Sequence, residues 1–556
     1  MESIDYILKM FNLLNLLKYT KNNFLKSSRV ERIGYLYILY MISKSIEAIT
    51  TIKKKDIKSN IFFYIKGLSF IKDKINQEKS KFRLQIKNEL NEPIIENSLH
   101  IFDKIPEKRE GEDIIRLIKD YSKLGKFNSE EGKVSGTVYS NDKKLNHLMT
   151  SLFPIYYRSN PLHPDIFPGV RKMEAEIVQM TAHLFHSKNP CAGSFTSGGT
   201  ESIILACKSY RDLARKNGNY NPSILVSTSG HAAYWKACEY LGIEIIEVPY
   251  DNEIDYDILK DNKNINLDYG KLKLDIVKKY IKRNTVAIIT SAPTFHFGII
   301  DEIEEISDYC KHYGINLHVD MCLGGFILPF IEKYKKISFL NKGITSISVD
   351  THKYGCGPKG GSVILYRDEE IFKNQMFVKE DWTGGIYGTS NISGSRCGNI
   401  ISLTWATMLS IGSEGYRENA EKIITMTKNL KTKLENTLGI FVYGNPEVCI
   451  VAVGSEEFDI YLLSDELKEK GWNLNVLQNP SSFHFCITNC HTEKIINEFV
   501  EDIKSSIQNV REKLNNCDEN TKIVSKSLYG STQKIDDSEI ISDVVRDYFC
   551  LLNDIK

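Results

Sequence analysis

The chain has 556 residues, of which 42% are hydrophobic and 26% are charged, and these fractions are ordinary for globular proteins. The 72 basic residues balance the 71 acidic ones, so the net charge of +1 gives no reason to expect nucleic acid as a partner. At about 150 residues per domain, the length predicts three or four segments and excludes a single small module. Twelve cysteines without a CxxC pair, and no recognisable secretory signal, predict free thiols in a reducing compartment.

The N-terminal segment 1–75 alternates apolar clusters with lysine-rich stretches and shows no alternation of strands and helices. Its residues 33–52 form a largely apolar run of about the length that spans a bilayer. Lys44 interrupts this run and costs about 2.5–3.5 kcal/mol on insertion, although Glu47 lies on the same helical face. Two interpretations therefore stay open, a membrane anchor and an amphipathic helix on a membrane or protein surface.

Four further segments are predicted along the chain. They are a helical linker and arm (76–134), a large α/β domain (135–398), a smaller α+β domain (399–515) and a tail (516–556). Within the large domain, short β-rich runs alternate with helices, a pattern typical of a mainly parallel sheet covered on both faces. In such sheets the chemistry collects at the carboxyl ends of the strands.

Three motifs stand at such positions. Gly198, Gly199 and Thr200 open a helix after a strand, where exposed backbone N–H groups form an anion cup. Asp320 ends a strand and is followed by the small residues Cys322 to Gly325, and side-chain alternation puts His318 on the same face as Asp320.

The third motif, Asp350 to Gly355, again follows a strand and contains His352 and Lys353. A lysine at such an edge is unusual, because lysine prefers solvated surfaces. Taken in chain order with the loop histidine His231, the motifs supply what a pyridoxal phosphate site requires. Such a site requires a phosphate cup, a ring-stacking group, a carboxylate for the pyridine nitrogen and an amine for the Schiff base.

Several longer stretches closely resemble the sphingosine-1-phosphate lyases, which are fold-type-I pyridoxal phosphate enzymes. The resemblance runs from about Ser135 to Ile507 and is carried by HPDIFPGVRKMEAEIV, TSGGTESIILACKSYRDLA, HVDMCLGGF, DTHKYGCGPKGG, DWTGGIYG and GWNLNVLQ. Two departures are noted, Met321 where alanine is usual and Cys397 where proline is usual.

The resemblance implies a role for each matching position. The cofactor site falls on Gly198, Gly199, Thr200, His231, Asp320, Cys322, His352 and Lys353. Lys353, Lys359, Tyr139 and Tyr387 are implied as catalytic residues, and Asn160, His163 and Lys359 as substrate-binding residues. No metal is implied.

The implied reaction is a retro-aldol cleavage of a phosphorylated sphingoid base to a long-chain aldehyde and phosphoethanolamine, in sphingolipid catabolism. The family also implies a homodimer with shared active sites, and an endoplasmic reticulum membrane location with the catalytic part in the cytosol. Two alternatives stay open, an amino acid decarboxylase of the same fold and a non-catalytic membrane scaffold. The blocks NPLHPD and GPKGG favour a phosphate over a carboxylate clamp, and the intact set of cofactor residues argues against a scaffold.

Overall fold

The computed structural model describes residues 69–96, 102–251, 267–516 and 538–555. The described residues divide by contact into two units, one formed by 69–124 with 538–555 and the other by 125–516. The predicted anchor at 33–52 lies outside the described residues. In the parts of the chain that are described, no helix combines the length and apolar character needed to cross a membrane.

The smaller unit is helical. It contains α1 (Ser69–Glu96), α2 (Gly111–Tyr121) and the C-terminal helix Ser538–Leu551. The C-terminal helix packs on α1, and ion pairs join Lys79 to Asp543 at 2.6 Å and Lys87 to Asp554 at 2.9 Å. The predicted tail therefore contributes its helix to this unit.

The larger unit is built on a seven-stranded sheet. Its strands are β1 Gly193–Thr196, β2 Ser223–Ser227, β3 Glu244–Val248, β4 Thr285–Ser291, β5 Asn316–Asp320, β6 Ile344–Val349 and β7 Ser362–Tyr366. Their order across the sheet is β1-β7-β6-β5-β4-β2-β3, and β7 runs antiparallel to both of its neighbours while the other pairs are parallel. The predicted mainly parallel sheet is thus confirmed, and it is a mixed sheet because of β7.

Helices cover both faces of this sheet. They are α3 Lys143–Tyr156, α4 Pro168–Leu184, α5 Gly199–Lys216, α6 Ala233–Leu241, α7 Leu274–Val277, α8 Ile303–Tyr313 and α9 Glu369–Lys373. Successive residues of β2 belong to different core clusters. Leu225 belongs to one cluster, and its neighbours Ile224 and Val226 belong to the other. Because side chains alternate along a strand, the consecutive apolar residues Ile224, Leu225 and Val226 bury both faces of the sheet.

Single-turn helices and a hairpin complete the part of the larger unit before residue 398. The single turns span Ser129–Glu131, Gly324–Phe326, Leu328–Phe330 and Glu332–Tyr334, and the hairpin pairs β8 Phe377–Lys379 with β9 Tyr387–Thr389.

The rest of the larger unit is the predicted α+β part. A long helix, α10 (Gly398–Glu435), is broken at Gly412, whose φ of 66° is left-handed. A four-stranded antiparallel sheet follows, in the order β10-β11-β13-β12. Its strands are β10 Phe441–Val442, β11 Ile450–Gly454, β12 Asn475–Leu477 and β13 Ser482–Cys486, and its helices are α11 Ile460–Glu469 and α12 Glu493–Asn515. The boundary at residue 398 stays a prediction.

Candidate active site

A cavity of about 280 Å³ lies where the carboxyl ends of β5 and β6 meet the start of α5. Its wall consists of Ser197, Gly198, Gly199, Thr200, Glu201, Ile203, His231, Asp320, Cys322, Asp350, His352 and Lys353. All eight residues that the sequence predicts for the cofactor are in this wall. They come from four stretches of chain, which the parallel strand order brings to one edge of the sheet.

The start of α5 forms one side of the cavity. Gly198 adopts a φ of 150°, which side chains rarely tolerate, and no side chain caps the helix there. A Cβ on Gly199 would come within 2.8 Å of the Cys322 sulfur, so the backbone itself approaches the opposite wall. Since the first N–H groups of a helix have no intrahelical partner, they are available to an anion. This concave, glycine-lined helix start fits a phosphate group.

Asp320 is held firmly at the end of β5. Its Oδ1 accepts the backbone N–H of Cys322 at 3.0 Å, and its Oδ2 accepts the hydroxyl of Tyr234 at 3.4 Å. Burial raises the pKa of this carboxyl, but His231, Cys322 and His318 outweigh that effect and hold the pKa below its ordinary value. Asp320 is therefore a buried anion, which fits a protonated ring nitrogen.

His318 supports Asp320 from the same face of β5. Its two ring nitrogens lie 2.7 Å from the Ser346 hydroxyl and 3.2 Å from the Ser348 hydroxyl on the neighbouring strand β6. The Ser348 hydroxyl is also 3.4 Å from Asp320 Oδ1. Because burial lowers the pKa of His318 to about 4, the ring is neutral at physiological pH.

Lys353 reaches into the cavity from the loop after β6. Its Nζ lies 2.9 Å from Asp350 Oδ2. Burial lowers the pKa of this lysine, but the Asp350 carboxylate more than offsets burial and the pKa is raised above its ordinary value. Beside it, the Nδ1 of His352 donates to the carbonyl of Gly361 at 2.5 Å, and burial lowers the pKa of His352.

His231 differs from these groups because its ring is exposed. Its Nδ1 accepts the backbone N–H of Ala233 at 3.1 Å, which holds the exposed side chain at the start of α6. An exposed ring beside a buried carboxylate fits a histidine that stacks on a planar ligand.

Tyr139 and Lys359 lie next to the cavity wall. The Nζ of Lys359 is 4.7 Å from the centre of the Tyr139 ring, and it donates to the His352 carbonyl at 3.4 Å. Burial and the nearby charge of Lys353 lower the pKa of Lys359. Burial raises the pKa of Tyr139, which keeps its hydroxyl protonated. The predicted catalytic pair is thus brought beside Lys353.

The other predicted substrate residues do not line the cavity. The Nδ2 of Asn160 donates to the Ser395 hydroxyl at 3.0 Å, and the side chain of His163 is exposed. The hydroxyl of Tyr387 lies so close to Gly394 that a Cβ there would be 2.9 Å away. The roles of Asn160, His163 and Tyr387 stay predictions.

Four residues of the wall, Ser197, Glu201, Ile203 and Asp350, were not predicted as site residues, and neither was Tyr234, which contacts Asp320. Asp350 belongs to a motif that the sequence singled out, and its position directly after a strand was the available signal. Tyr234 precedes its partner Asp320 by 86 residues and had no sequence signal. Among the described residues, no group of three or more histidine, cysteine or acidic side chains could hold a metal ion.

Side-chain alternation along β5 predicts that Asp320 and Cys322 face one side and that Met321 faces the other, and the structure agrees. Met321 is fully buried within the main hydrophobic cluster, whereas Cys322 lines the cavity. The methionine therefore fills the core and faces away from the site.

Comparison with known proteins gives the family. The pyridoxal-dependent decarboxylase conserved domain matches residues 137–454. The sphingosine-1-phosphate lyase 1 of Rattus norvegicus is 40% identical over 494 residues, which cover 88% of this chain and 83% of the rat protein. Because this domain is pyridoxal-dependent, the cofactor of the chain is pyridoxal phosphate.

Solved structures agree. The sphingosine-1-phosphate lyase of Burkholderia pseudomallei is 30% identical with a TM-score of 0.68, and the match covers 75% of this chain and 95% of that one. A glutamate decarboxylase of Lactobacillus brevis has a TM-score of 0.62 at 22% identity, covering 77% and 97%, and that likeness shows the fold. This chain belongs to the sphingosine-1-phosphate lyase family of pyridoxal phosphate-dependent lyases.

Proposed function

We propose that the protein cleaves phosphorylated long-chain bases between C2 and C3, giving a long-chain aldehyde and phosphoethanolamine. The observation that carries this proposal is that the amine of Lys353, the carboxylate of Asp320 and the start of α5 share one cavity. A primary amine substrate with a phosphate and a C3 hydroxyl offers a group for each side of such a site.

The cofactor would be held from three sides. Gly198, Gly199 and Thr200, with His352, would hold its phosphate, and Asp320 would keep its ring nitrogen protonated. His231 would stack on its ring, Cys322 would line the pocket for the ring, and Lys353 would supply the amine for its covalent attachment. When bound, the cofactor supplies the sink for the electron pair that the breaking C2–C3 bond releases.

Protein groups carry the protons. A base takes the proton of the C3 hydroxyl, whose oxygen becomes the aldehyde oxygen as the bond breaks, and C2 is then protonated. Lys353, Lys359, a tyrosine and the cofactor phosphate stay open as that base. Lys359 and Tyr139 are favoured by their position beside Lys353, and the lowered pKa of Lys359 makes it easier to deprotonate.

Substrate recognition would involve more than one protomer. We assign Asn160, His163 and Lys359 to the substrate phosphate and Tyr387 to the reacting end. All four of these residues lie outside the cavity wall of the single chain. On the loop before Tyr387, Trp382 is 54% exposed and Ile386 is 82% exposed, which favours burial against a second copy. A homodimer with shared sites accounts for both features.

A membrane location completes the proposal. A substrate with a long alkyl chain partitions into membranes, and the apolar run at 33–52 would keep the enzyme at the endoplasmic reticulum with its catalytic part in the cytosol. The support for this part is the sequence alone.

The test is incubation of the purified, cofactor-loaded protein with a phosphorylated sphingoid base, followed by detection of both products. We expect a long-chain aldehyde and phosphoethanolamine in equal amounts, and much less product from the unphosphorylated base. Release of carbon dioxide from amino acids without any aldehyde would support the decarboxylase alternative instead. Absence of both reactions in a cofactor-loaded protein would contradict catalysis.

A further inference from the structure

Asp350 is a buried carboxylate with an unusual set of partners. Its side chain is only 2% exposed, and its Oδ2 pairs with Lys353 Nζ at 2.9 Å. Its Oδ1 has no hydrogen-bond partner among the described residues. Since a buried charge is costly unless it is paired, the stability of the Asp350 anion depends on a positive charge on the Lys353 nitrogen.

A second acidic residue of the cavity wall provides a contrast. Glu201 is also buried, but its two carboxylate oxygens accept backbone N–H groups, from Ser197 at 2.6 Å and from Ile392 at 2.8 Å. These contacts explain Glu201 as a structural anchor of the helix start. No such backbone contact to the Asp350 side chain is found among the described residues. The nitrogens that face its Oδ2 are Lys353 Nζ at 2.9 Å and His352 Nε2 at 3.8 Å. Because burial lowers the pKa of His352, the positive charge beside Asp350 is on the lysine.

The backbone leaves Asp350 little freedom to move. A Cβ on Gly199 would meet Asp350 Oδ1 at 3.0 Å and Oδ2 at 3.1 Å, so the start of α5 closes one side of the carboxylate. Lys353 closes another side, three residues along the same loop. The carboxylate is therefore fixed between the proposed phosphate cup and the amine.

We propose that Asp350 is a positioning residue, which fixes the Lys353 nitrogen in the cavity and keeps that nitrogen positively charged, both as the free amine and when it is joined to the cofactor. This inference rests on the proposed attachment of the cofactor to Lys353. A protonated nitrogen is the form that a substrate amine attacks, so the charge matters to the exchange with substrate.

The test is a pH titration of the visible absorption of the cofactor-loaded protein, because the colour of the bound cofactor reports the protonation of this nitrogen. In the Asp350→Asn variant we expect the midpoint of the colour change to move to lower pH by about one unit or more. An unchanged midpoint in a fully loaded variant would overturn the proposal.

The matched control is Glu201→Gln, which removes a carboxylate from the same cavity wall without a contact to Lys353. We expect its midpoint to stay close to that of the unmodified protein. An equal shift in both variants would overturn the proposal, because the protonation of the Lys353 nitrogen would then depend on the total charge of the cavity wall and not on the contact with Asp350.

Asp350→Glu covers the case in which the asparagine variant does not fold or does not load. It keeps the charge, so its midpoint stays near that of the unmodified protein, whereas a fall as large as one pH unit would overturn the proposal. Lys353→Ala separates this inference from the function on which it rests. If that variant keeps the titrating visible band, the attachment site is wrong; if it loses the band while Asp350→Asn titrates normally, the role of Asp350 alone is wrong.

Discussion

The two sheets of the larger unit both bury histidines, yet they use their polar residues differently. In the seven-stranded sheet, β5 and β6 are parallel neighbours, so Asp320 and Asp350 follow them at the same edge. In the four-stranded sheet all neighbours are antiparallel, and His484 pairs in register with Ala452 and Asn475 in the middle of its strand. Neighbouring parallel strands have their carboxyl ends at the same edge of the sheet, whereas neighbouring antiparallel strands have them at opposite edges. The ionisable residues at the strand ends therefore meet in a cavity in the first sheet, whereas His484 in the second sheet is a packing residue.

The largest expected effect tests the reactive edge. Lys353→Ala removes the amine that we propose attaches the cofactor, so we expect loss of the visible absorption and a fall in turnover of at least about 10⁴-fold. The control is Lys342→Ala, because this exposed lysine precedes β6 at the opposite end of the strand. Both variants are assayed for aldehyde production and for their visible absorption spectrum. Normal turnover in Lys353→Ala would contradict the assignment.

Lys359→Ala separates substrate chemistry from cofactor binding at the same edge. Its amine lies over the Tyr139 ring and outside the cavity wall. We therefore expect the visible absorption to persist while turnover falls by about 10²-fold or more, as for loss of an acid or base group. Lys359→Arg, which keeps the charge, is the control for electrostatics. A variant that loses the cofactor and recovers full turnover with added cofactor would refute a substrate role.

Met321→Ala tests the two sides of the strand end. The side chain is fully buried in the main cluster, so its removal leaves a cavity and costs about 2–5 kcal/mol of the free energy of unfolding. We expect a lower melting temperature and an unchanged visible band. Cys322→Leu lies on the cavity side and should change the band instead. If Met321→Ala changed the band without a change in melting, the strand end would face the other way.

The smallest effect concerns the packing histidine of the second sheet. Burial lowers the pKa of His484 to about 4, and its Nδ1 donates to the carbonyl of His296 at 3.1 Å. The unfolded chain binds a proton there near pH 6.5 and the folded chain does not, so stability falls as pH drops from about 6.5 toward 4. One such histidine contributes up to about 1.4 kcal/mol per pH unit.

His484→Gln should therefore flatten the pH dependence of denaturant-induced unfolding between pH 7 and about pH 5. His147→Gln, at an exposed position of α3, is the control and should leave the slope unchanged. His318 and His491 also have pKa values lowered by burial to about 4, so part of the slope persists in the variant. An identical slope in His484→Gln would show that this histidine is protonated in the folded protein.

Local patterns made much of the site predictable. The short β-rich runs of the large α/β domain, the Gly-Gly helix start and the strand ends at Asp320 and before Lys353 depend on periodicity and turn chemistry within a few residues. Each of these elements is present where the sequence predicted it. The seating of Met321 in the core followed from alternation along one strand.

The hydrogen bonds that orient these residues could not be predicted from local sequence patterns. The Tyr234 hydroxyl contacts Asp320, and Ser346 and Ser348 contact His318, only because α6 packs beside the sheet and β6 lies next to β5. Such pairings depend on strand order, which sequence spacing does not specify. The separation of Asn160 and Tyr387 from the cavity is likewise a property of the folded single chain.

The sequence by itself determined the types and order of the elements and the residues at the strand ends, because these follow from side-chain periodicity and local backbone preferences. Only the tertiary structure decided that the β1-to-α5 turn, β5 and β6 converge on one cavity, and that Asp350 there pairs with Lys353 and not with a backbone group. The physical reason is that burial and charge pairing act between residues far apart in the chain, and their strength depends on distances that exist only after folding.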